Sequence, residues 1–356
     1  MSPSRTLMVM AGGTGGHVFP AIAVADWLKA KGWNIAWLVT EGGMENQLIA
    51  TKGYASSMIK MKGVRGKGMM RKLAAPFQVL FACKQSLQAI RLHQPDVVLG
   101  MGGFAAFPGG LMAWLLRKPL VIHEQNSVAG LTNRALSYFA KRVLAAFPSA
   151  FGEKATLVGN PVRADITALP APTERFANRQ GALRILVIGG SLGAQILNET
   201  VPQALAQLPL DNRPEIIHQA GVKHIEQLQS YYKEANVSAD TRAFIDDMAT
   251  MYGWCDVVIC RAGALTIAEL AAAGVASILV PFPHAVDDHQ TGNARYLAED
   301  GAALLITQHT LNAASLAQVL TSLTREKLLA MAMKARALGK PEATADVAQI
   351  CMGLAT

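Results

Sequence analysis

The feature that most constrains this chain is a strand, glycine-rich loop and helix pattern that occurs twice, almost half a chain apart. In the first copy, the apolar residues 7–11 lead into the glycine-rich residues 12–17 and then into a helical pattern over residues 21–31. In the second copy, residues 185–188 lead into the glycine-rich residues 189–194 and another helical pattern. Because glycine after a strand lets the backbone turn and approach a ligand closely, both loops are candidate ligand-binding loops.

Each half of the chain also contains a second matching strand and loop. Residues 96–99 precede Met101-Gly102-Gly103, and residues 256–259 precede Arg261-Ala262-Gly263. Two copies of such a series predict two doubly wound α/β domains with parallel sheets, whose ligand loops lie at the carboxyl ends of the strands. The boundary is expected near residues 160–163 and the looser segment 168–181. A cleft between the two domains is then the expected ligand site.

Length and charge narrow the classes of partner. The chain has 356 residues, 51% of them hydrophobic, which suits two ordinary domains. Its formal charge of +8 favours an anionic partner: a phosphate-bearing ligand, an anionic membrane surface or a nucleic acid. The four scattered cysteines predict a reducing compartment, and the apolar residues 7–11 are too few for the core of a signal peptide. We therefore expect a cytosolic protein.

Residues 97–116 form an uncharged run of the length that could span a membrane. Glycines and Pro108 interrupt this run, so it predicts a buried strand, a glycine-rich loop and the start of a helix instead. The helical pattern over residues 316–338 predicts a helix near the C-terminus.

The glycine loops do not fit the better-known phosphate-binding motifs. Val18 stands where a dinucleotide fingerprint would need its third glycine, and neither loop ends in Gly-Lys-Ser/Thr. Glu41 follows the predicted second strand and could serve as a ribose-binding acid, which leaves an NAD-dependent oxidoreductase open as an alternative. Asp246-Asp247 and Asp287-Asp288 are adjacent pairs and not an Asp-x-Asp motif, and no cofactor or tightly bound metal is predicted.

Seven motifs keep their order along the chain and comprise residues 12–17, 123–126, 159–163, 189–194, 244–248, 262–269 and 289–293. Together they are similar to the MurG family, the N-acetylglucosaminyltransferases that form lipid II. The resemblance runs from residue 7 to about residue 300. It implies a GT-B fold, in which two Rossmann-like doubly wound parallel-sheet domains face each other across a cleft.

The resemblance also implies the activity and the location of the protein. Residues 1–161 would form an acceptor- and membrane-binding domain and residues 162–356 a domain that binds UDP-N-acetylglucosamine, and it stays open whether the final helix returns to the first domain. The enzyme would transfer N-acetylglucosamine to lipid I with inversion at the anomeric carbon, releasing UDP and forming lipid II. It would be a peripheral protein at the cytoplasmic face of the bacterial inner membrane, in a setting shared with other proteins of cell-wall synthesis and division.

The same resemblance implies a set of residues for UDP-N-acetylglucosamine. Ile245 would contact the uracil through its backbone, Glu269 would accept hydrogen bonds from both ribose hydroxyls, and Arg163 would balance phosphate charge. The amides of the second glycine loop and of the helix after Gly263 would hold the diphosphate. The full set is Thr14, Gly15, Gly16, Asn126, Arg163, Ser191, Ile245, Ala264, Leu265, Thr266, Ile267, Ala268, Glu269, His289 and Gln290.

Two residues are candidates for the general base that the reaction needs. The acceptor hydroxyl must lose a proton as the bond between the sugar and the phosphate breaks. His17 is the first candidate, because imidazole is the side chain that titrates nearest to neutral pH; a contact with the acceptor phosphate or with its own loop is an alternative role. Glu124 is the second candidate.

A basic and apolar segment predicts contact with a membrane surface. Lysines and arginines at positions 62, 65, 67, 71, 72 and 84 surround apolar residues, and the membrane-binding candidates are Lys72, Leu73, Phe77, Leu80 and Phe81. An amphipathic helix packed on its own core is the alternative.

The other function classes explain fewer of these features. A nucleic-acid-binding protein would account for the charge but not for the paired glycine loops, and the chain has no interleaved arginine and aromatic platform. Another GT-B UDP-sugar transferase is a closer alternative. The motifs at residues 12–17 and 123–126, in the acceptor half, favour the MurG family over it.

Overall fold

The computed structural model describes residues 4–61, 69–103, 105–190 and 192–355, and for residues 69–75 it describes the backbone alone. These residues form two compact units. The first unit is Met1–Val162 with Pro341–Thr356, and the second is Arg163–Lys340.

The first unit is a parallel sheet with helices on both faces. Its seven strands are arranged in the order β3-β2-β1-β4-β5-β6-β7, and every strand pairing among the described residues is parallel. Its elements before the second unit are β1 Thr6–Met10, α1 Gly15–Ala30, β2 Asn34–Thr40, α2 Glu45–Thr51, β3 Ala55–Ile59, α3 Met69–His93, β4 Val97–Gly100, α4 Ala106–Leu115, β5 Leu120–Glu124, α5 Leu131–Leu136, β6 Arg142–Ala145 and β7 Thr156–Leu157.

The second unit repeats this plan with six strands in the order β10-β9-β8-β11-β12-β13. Its pairings are also parallel. Its elements are α6 Ala164–Thr167, α7 Pro172–Phe176, β8 Arg184–Ile188, α8 Gln195–Ala206, β9 Glu215–Gln219, α9 Ile225–Glu234, β10 Asp240–Arg242, α10 Met248–Trp254, β11 Val257–Cys260, α11 Ala264–Ala273, β12 Ala276–Leu279, α12 His289–Ala298, β13 Ala303–Leu305, α13 Ala313–Ser322 and α14 Arg325–Leu338. The last helix, α15 Ala343–Leu354, packs on α1 and β4 of the first unit.

Side-chain alternation along β1 shows why both faces of the first sheet are covered. Leu7 and Val9 point into a core that also contains residues of α1 and α15, whereas Met8 and Met10 point into a second core with residues of α3, α4 and α5. All four side chains are fully buried. Burial on both faces explains why the strand is a continuous apolar run and does not alternate between apolar and polar residues.

The strand orders place two pairs of loops side by side. β1 lies next to β4 with Val9 opposite Leu99, and β8 lies next to β11 with Val187 opposite Ile259. Because the strands are parallel, the loops that follow each pair emerge at the same edge of the sheet, where ligands bind in doubly wound folds.

Three local predictions can be compared with the elements. The uncharged residues 97–116 form β4, a loop and α4, as expected, and none of the helices within the described residues is long and apolar enough to cross a bilayer. The helix after the first glycine loop begins at Gly15, inside the loop and earlier than residue 21. Residues 316–338 are helical, as expected, and are divided between α13 and α14 because Thr324 has an extended backbone and its hydroxyl caps the start of α14.

Candidate active site

The first glycine loop ends in the first turn of α1. Thr14 is the extended N-cap residue, and its carbonyl accepts hydrogen bonds from the amides of His17 and Val18. Gly15 and Gly16 are the first helical residues, so their amides belong to the group that has no acceptor within a helix. Such amides favour anions. The half-buried imidazole of His17 lies beside them on the same turn.

Glycines after β4 let that loop contact the first loop directly. Gly103 has φ +86°, and a Cβ there would lie 2.4 Å from the carbonyl oxygen of Gly12. Gly102 has φ +93°, and a Cβ there would lie 3.1 Å from Cε1 of His17. A side chain at either position would push the two loops apart, so these glycines set the position of the His17 ring.

A chain of hydrogen bonds runs from His17 into the core of the first unit. Nδ1 of His17 lies 2.7 Å from Oε1 of Gln125, and Nε2 of Gln125 lies 3.1 Å from Nδ1 of His123. Nε2 of His123 lies 2.8 Å from the carbonyl oxygen of Gly159. Burial lowers the pKa of His123 to about 4, although the bond to Gly159 and the charge of Glu124 oppose this shift. His123 is therefore neutral near pH 7.

Glu124 holds the loop that follows β5. Its Oε1 accepts a hydrogen bond from the backbone amide of Asn126 at 3.0 Å, and its Oε2 accepts from the Gly130 amide at 3.0 Å and from Nδ2 of Asn133 at 2.9 Å. The residue is 2% exposed. Both carboxylate oxygens are thus engaged within the protein, and the geometry favours His17 over Glu124 as the residue that meets an acceptor.

A buried carboxylate under the first loop has no counterpart among the sequence-based predictions. Oε1 of Glu45 accepts hydrogen bonds from the backbone amide of Thr40 at 3.1 Å and from its hydroxyl at 2.6 Å. A Cβ at Gly12 would lie 2.7 Å from that oxygen, and one at Gly43 only 2.3 Å. Glu45 is fully buried, and its carboxylate packs against the backbone of the first glycine loop at Gly12. Glutamate at the start of a helix is common, so the sequence alone gives no signal for this role.

The second glycine loop is held against the neighbouring strand. Gly193 has φ +79°, and a Cβ there would lie 1.8 Å from the carbonyl oxygen of Ala220. Nε2 of Gln219 donates to the carbonyl of Gly190 at 2.9 Å. Ser191 lies outside the described residues. The backbone of the rest of the loop is thus fixed by contacts that tolerate glycine alone at position 193.

The loop after β11 leads into α11, which carries six of the fifteen predicted donor-binding residues. Gly263 is an extended N-cap, and the first hydrogen bond of the helix joins the Ile267 amide to the Gly263 carbonyl at 2.9 Å. The amides of Ala264, Leu265 and Thr266 precede it and have no acceptor within the helix. Their alignment makes this helix start suitable for a phosphate group. Ala268 is half-buried one turn further along.

Glu269 on α11 is a buried carboxyl group with little internal support. It is 7% exposed, and among the described residues its one hydrogen-bond donor is the hydroxyl of Tyr252, 3.0 Å from Oε2. Burial raises its pKa to about 7, while the charge of Arg163 and the Tyr252 hydrogen bond oppose the rise. Arg163 caps α6, and its guanidinium is 40% exposed and lies 3.8 Å from Asp165.

The remaining predicted donor residues of the second unit lie in the loop before α10 and at the start of α12. Ile245 is buried next to the exposed Phe244. His289 starts α12, and its Nδ1 donates to the carbonyl of Val286 at 2.7 Å. Oε1 of Gln290 accepts from the backbone amide of Phe282 at 2.9 Å, which leaves its amide nitrogen without a hydrogen bond within the described residues.

Arg261 fixes the loop after β12, a role for which the sequence gives no signal. Its Nη1 donates to the carbonyls of Val280 and Pro281 at 3.1 Å, and its Nη2 donates to Oε1 of Gln308 at 2.7 Å. The guanidinium thus holds the backbone next to Phe282, to which Gln290 is also bonded.

An apolar surface lies on α3. Phe77, Leu80 and Phe81 are 75%, 67% and 50% exposed. The side chains of Lys72 and Leu73 lie outside the described residues. On α4, which packs against α3, Trp114 and Leu115 are also exposed. We call Phe77, Leu80 and Phe81 the α3 surface. Exposed apolar side chains clustered on one helix make this surface a candidate interaction site.

Comparison with known proteins places this chain in one family. Models of the glycosyltransferase family 28 N-terminal and C-terminal domains match residues 7–145 and 184–349. A relative from Azoarcus sp. (strain BH72), the UDP-N-acetylglucosamine--N-acetylmuramyl-(pentapeptide) pyrophosphoryl-undecaprenol N-acetylglucosamine transferase, is 58% identical over 99% of this chain and 98% of its own length. The protein of the same name from Dechloromonas aromatica (strain RCB) is 57% identical over 99% of both chains. The chain belongs to the MurG family.

Solved structures agree with this assignment. The crystal structure of Acinetobacter baumannii MurG is 44% identical and covers 98% of this chain and 99% of its own, with a TM-score of 0.87. The glycosyltransferase of kitacinnamycin, at 16% identity and a TM-score of 0.69, shares the fold alone. The predicted GT-B fold class, with two parallel-sheet α/β domains, and the predicted N-acetylglucosaminyltransferase class are confirmed.

The raised pKa of Glu269 gives a prediction for stability. Between about pH 4.5, the ordinary value of the carboxyl group, and about pH 7, the folded state keeps a proton that the unfolded state has lost. The free energy of unfolding should therefore fall as pH rises through this window, by on the order of 3 kcal/mol relative to a Glu269→Gln variant. Urea denaturation of both proteins from pH 4 to pH 8 measures the difference. If the free energy of unfolding depended on pH in the same way in both proteins, the raised pKa of Glu269 would be contradicted.

Proposed function

We propose that this protein transfers N-acetylglucosamine from UDP-N-acetylglucosamine to lipid I, the undecaprenyl-diphospho-N-acetylmuramoyl-pentapeptide, and so forms lipid II and UDP in peptidoglycan synthesis. The observation that carries the proposal is 58% identity, over 99% of the chain, to a protein named for this transfer. Both glycosyltransferase family 28 domains are matched. Structures of the same fold at 16% and 17% identity do not favour a different sugar transfer, and no observation favours an oxidoreductase.

The second unit supplies the donor site in this proposal. The aligned amides at the start of α11 and the backbone of residues 189–193 bind the diphosphate, and Thr266 and Ser191 add hydroxyls. Glu269 accepts hydrogen bonds from the ribose hydroxyls, which would supply the donors that this buried carboxyl group lacks. The guanidinium of Arg163 balances phosphate charge.

The remaining donor contacts bind the uracil and the sugar. The backbone of Ile245 contacts uracil. His289 and the amide nitrogen of Gln290 contact sugar hydroxyls.

The first unit supplies the base for the transfer. The acceptor hydroxyl oxygen forms a bond to C1 of the donor sugar while the bond between C1 and the phosphate oxygen breaks, and that electron pair leaves with UDP. The hydroxyl proton passes to His17, and attack from the opposite face inverts the anomeric carbon. No covalent bond to the enzyme is needed. Glu124 positions the loop at residues 125–130 in this scheme, because its oxygens already accept hydrogen bonds from that loop and from Asn133.

The reaction itself is tested by transfer of labelled sugar. Purified protein is incubated with labelled UDP-N-acetylglucosamine and a short-chain lipid I analogue. The wild type should transfer label, and Glu269→Ala and His17→Gln should each lower kcat/KM by at least about 100-fold. Absence of transfer by the wild type, despite UDP binding, would mean that the acceptor is a compound of another class and not lipid I.

The contact between Glu269 and the ribose is tested by removing the hydroxyls from the ligand and, separately, the carboxylate from the protein. Binding of UDP and of 2′,3′-dideoxy-UDP is measured by calorimetry. The wild type should bind the dideoxy compound roughly 10- to 100-fold more weakly, because hydrogen bonds to a charged group are lost. Glu269→Ala should bind the two ligands within about twofold of each other. Undiminished discrimination in the variant would place the ribose on other residues.

We also propose that the α3 surface docks on the cytoplasmic leaflet of the membrane, where a lipid-linked acceptor resides. Its side chains are apolar and exposed, and the chain carries a formal charge of +8. Burial of apolar side chains at the headgroup boundary and attraction of basic residues to anionic lipid add together. Lys72 and Leu73 on the same helix would extend this contact.

Vesicle binding tests the membrane proposal. A Phe77→Ser/Phe81→Ser variant should partition onto vesicles containing phosphatidylglycerol at least tenfold less than the wild type, because two large apolar side chains no longer leave water. Its affinity for UDP should be unchanged. Leu92→Ser is the control, since Leu92 is equally exposed near the other end of α3 and should have little effect. Equal binding by the double variant and the wild type would defeat the proposal.

A further inference from the structure

The hydrogen bonds behind His17 fix the direction of every donor and acceptor in the chain that links it to Gly159. From these hydrogen bonds we infer that Gln125 and His123 are positioning residues that hold His17 in the tautomer protonated on Nδ1, with Nε2 left as the proton acceptor. The structural part of the inference stands on the hydrogen bonds alone. Its catalytic meaning rests on the proposed role of His17 as the general base.

The hydrogen bond between His123 and Gly159, at the buried end of the series, determines which atoms donate and which accept. The carbonyl oxygen of Gly159, 2.8 Å from Nε2 of His123, can only accept, so Nε2 of His123 carries the proton and donates it. His123 is fully buried and neutral near pH 7. A neutral imidazole with its proton on Nε2 has a lone pair on Nδ1, and this nitrogen must therefore accept.

The orientation of the Gln125 amide determines which of its atoms faces His17. Its Nε2 lies 3.1 Å from Nδ1 of His123 and 3.2 Å from the backbone oxygen of the same residue, and the sulfur of Met101 lies 3.8 Å away. All three are acceptors, so the amide nitrogen must face them. The opposite orientation of the amide would place two carbonyl oxygens against each other. Oε1 of Gln125 is therefore the atom that faces His17, and an amide oxygen can only accept.

His17 must then donate from Nδ1, which lies 2.7 Å from Oε1 of Gln125. Neutral imidazole has one N–H, so Nε2 carries a lone pair. Imidazole in water favours the opposite tautomer, with the proton on Nε2, and in that form Nε2 could not take a proton from an acceptor hydroxyl. The hydrogen bond to Gln125 thus selects the reactive form of the ring.

Packing keeps the ring in this orientation. A Cβ at Gly102 would lie 3.1 Å from Cε1 and 3.2 Å from Nδ1 of His17, so the backbone at this position lies close against the ring. The imidazole is half-buried and Gln125 is fully buried. When Nε2 takes the proton, the neutral amide oxygen of Gln125 still accepts from Nδ1, and no charge moves along the chain. The proton leaves His17 from Nε2 to solvent after the products dissociate.

The test is a direct reading of the tautomer combined with kinetics. Protein labelled with 15N-histidine is examined by long-range 1H–15N spectroscopy, at a pH where His17 is neutral, and a His17→Gln variant assigns the signal. We expect the pattern of an Nδ1-protonated ring in the wild type. In Gln125→Met, which removes the acceptor at similar volume, we expect the Nε2-protonated form to appear. The same variant should lose on the order of 100-fold in kcat while the KM for UDP-N-acetylglucosamine stays within about twofold.

Gln125→Glu serves as the second variant. Its carboxylate still accepts from Nδ1 of His17 but cannot donate to His123, so it should keep the Nδ1-protonated ring and recover at least tenfold in kcat over Gln125→Met. A wild-type spectrum with the proton on Nε2 overturns the inference, even if neither variant folds. An unchanged tautomer and unchanged kcat in Gln125→Met also overturn it. Full activity of His17→Gln would instead defeat the proposed base and leave the tautomer assignment standing.

Discussion

Parallel pairing of each unit's first strand with its fourth is the constraint on which both candidate sites depend. β1 pairs with β4 some 90 positions further along the chain, as in Leu7 with Val97, and β8 pairs with β11 in the same way. The loops that follow these strands must then share one edge of the sheet. They fit because glycine stands where the backbones approach most closely, as at Gly103 against Gly12. Loops packed this tightly hold their amides and side chains in fixed directions, which a transferase needs.

Buried polar groups in the two units are satisfied to different degrees. Glu124 receives donors on both oxygens, so its carboxylate is stabilised inside the protein. Glu269 receives one donor, from Tyr252, and burial raises its pKa. A buried carboxyl group with unused acceptor capacity is costly in the unliganded protein. A ligand with two adjacent hydroxyls would offset that cost, which is why we propose a binding role for Glu269 and a structural role for Glu124.

Sequence patterns predicted the fold class because they are local and repeated. The strand, glycine loop and helix series occurs twice, and β1 and β8, which begin the two copies, are apolar on both faces, which is typical of a buried parallel sheet. The family assignment came from short ordered motifs, and the comparisons confirm it. The start of α1 was placed too late, since a glycine-rich segment gives no helical periodicity although its residues already form the first turn.

The network behind His17 could not be predicted in the same way. His17 and Gln125 are 108 residues apart, and His123 and Gly159 are 36 residues apart. Their contacts follow from the sheet order and not from any spacing in the sequence. Glu45 is a similar case, because its role depends on the close approach of Gly12 and Gly43 to its carboxylate. Sequence motifs therefore indicate candidate residues, while long-range packing determines which atoms face one another.

The most direct measurement of the central claim is a crystal structure of the protein with UDP bound. The ribose hydroxyls should lie within hydrogen-bond distance of Glu269, with the diphosphate at the start of α11 and beside residues 189–193. The uracil should contact the backbone of Ile245. A nucleotide bound at the first glycine loop instead, with Glu269 still buried and bonded to Tyr252 alone, would contradict the division of donor and acceptor between the two units.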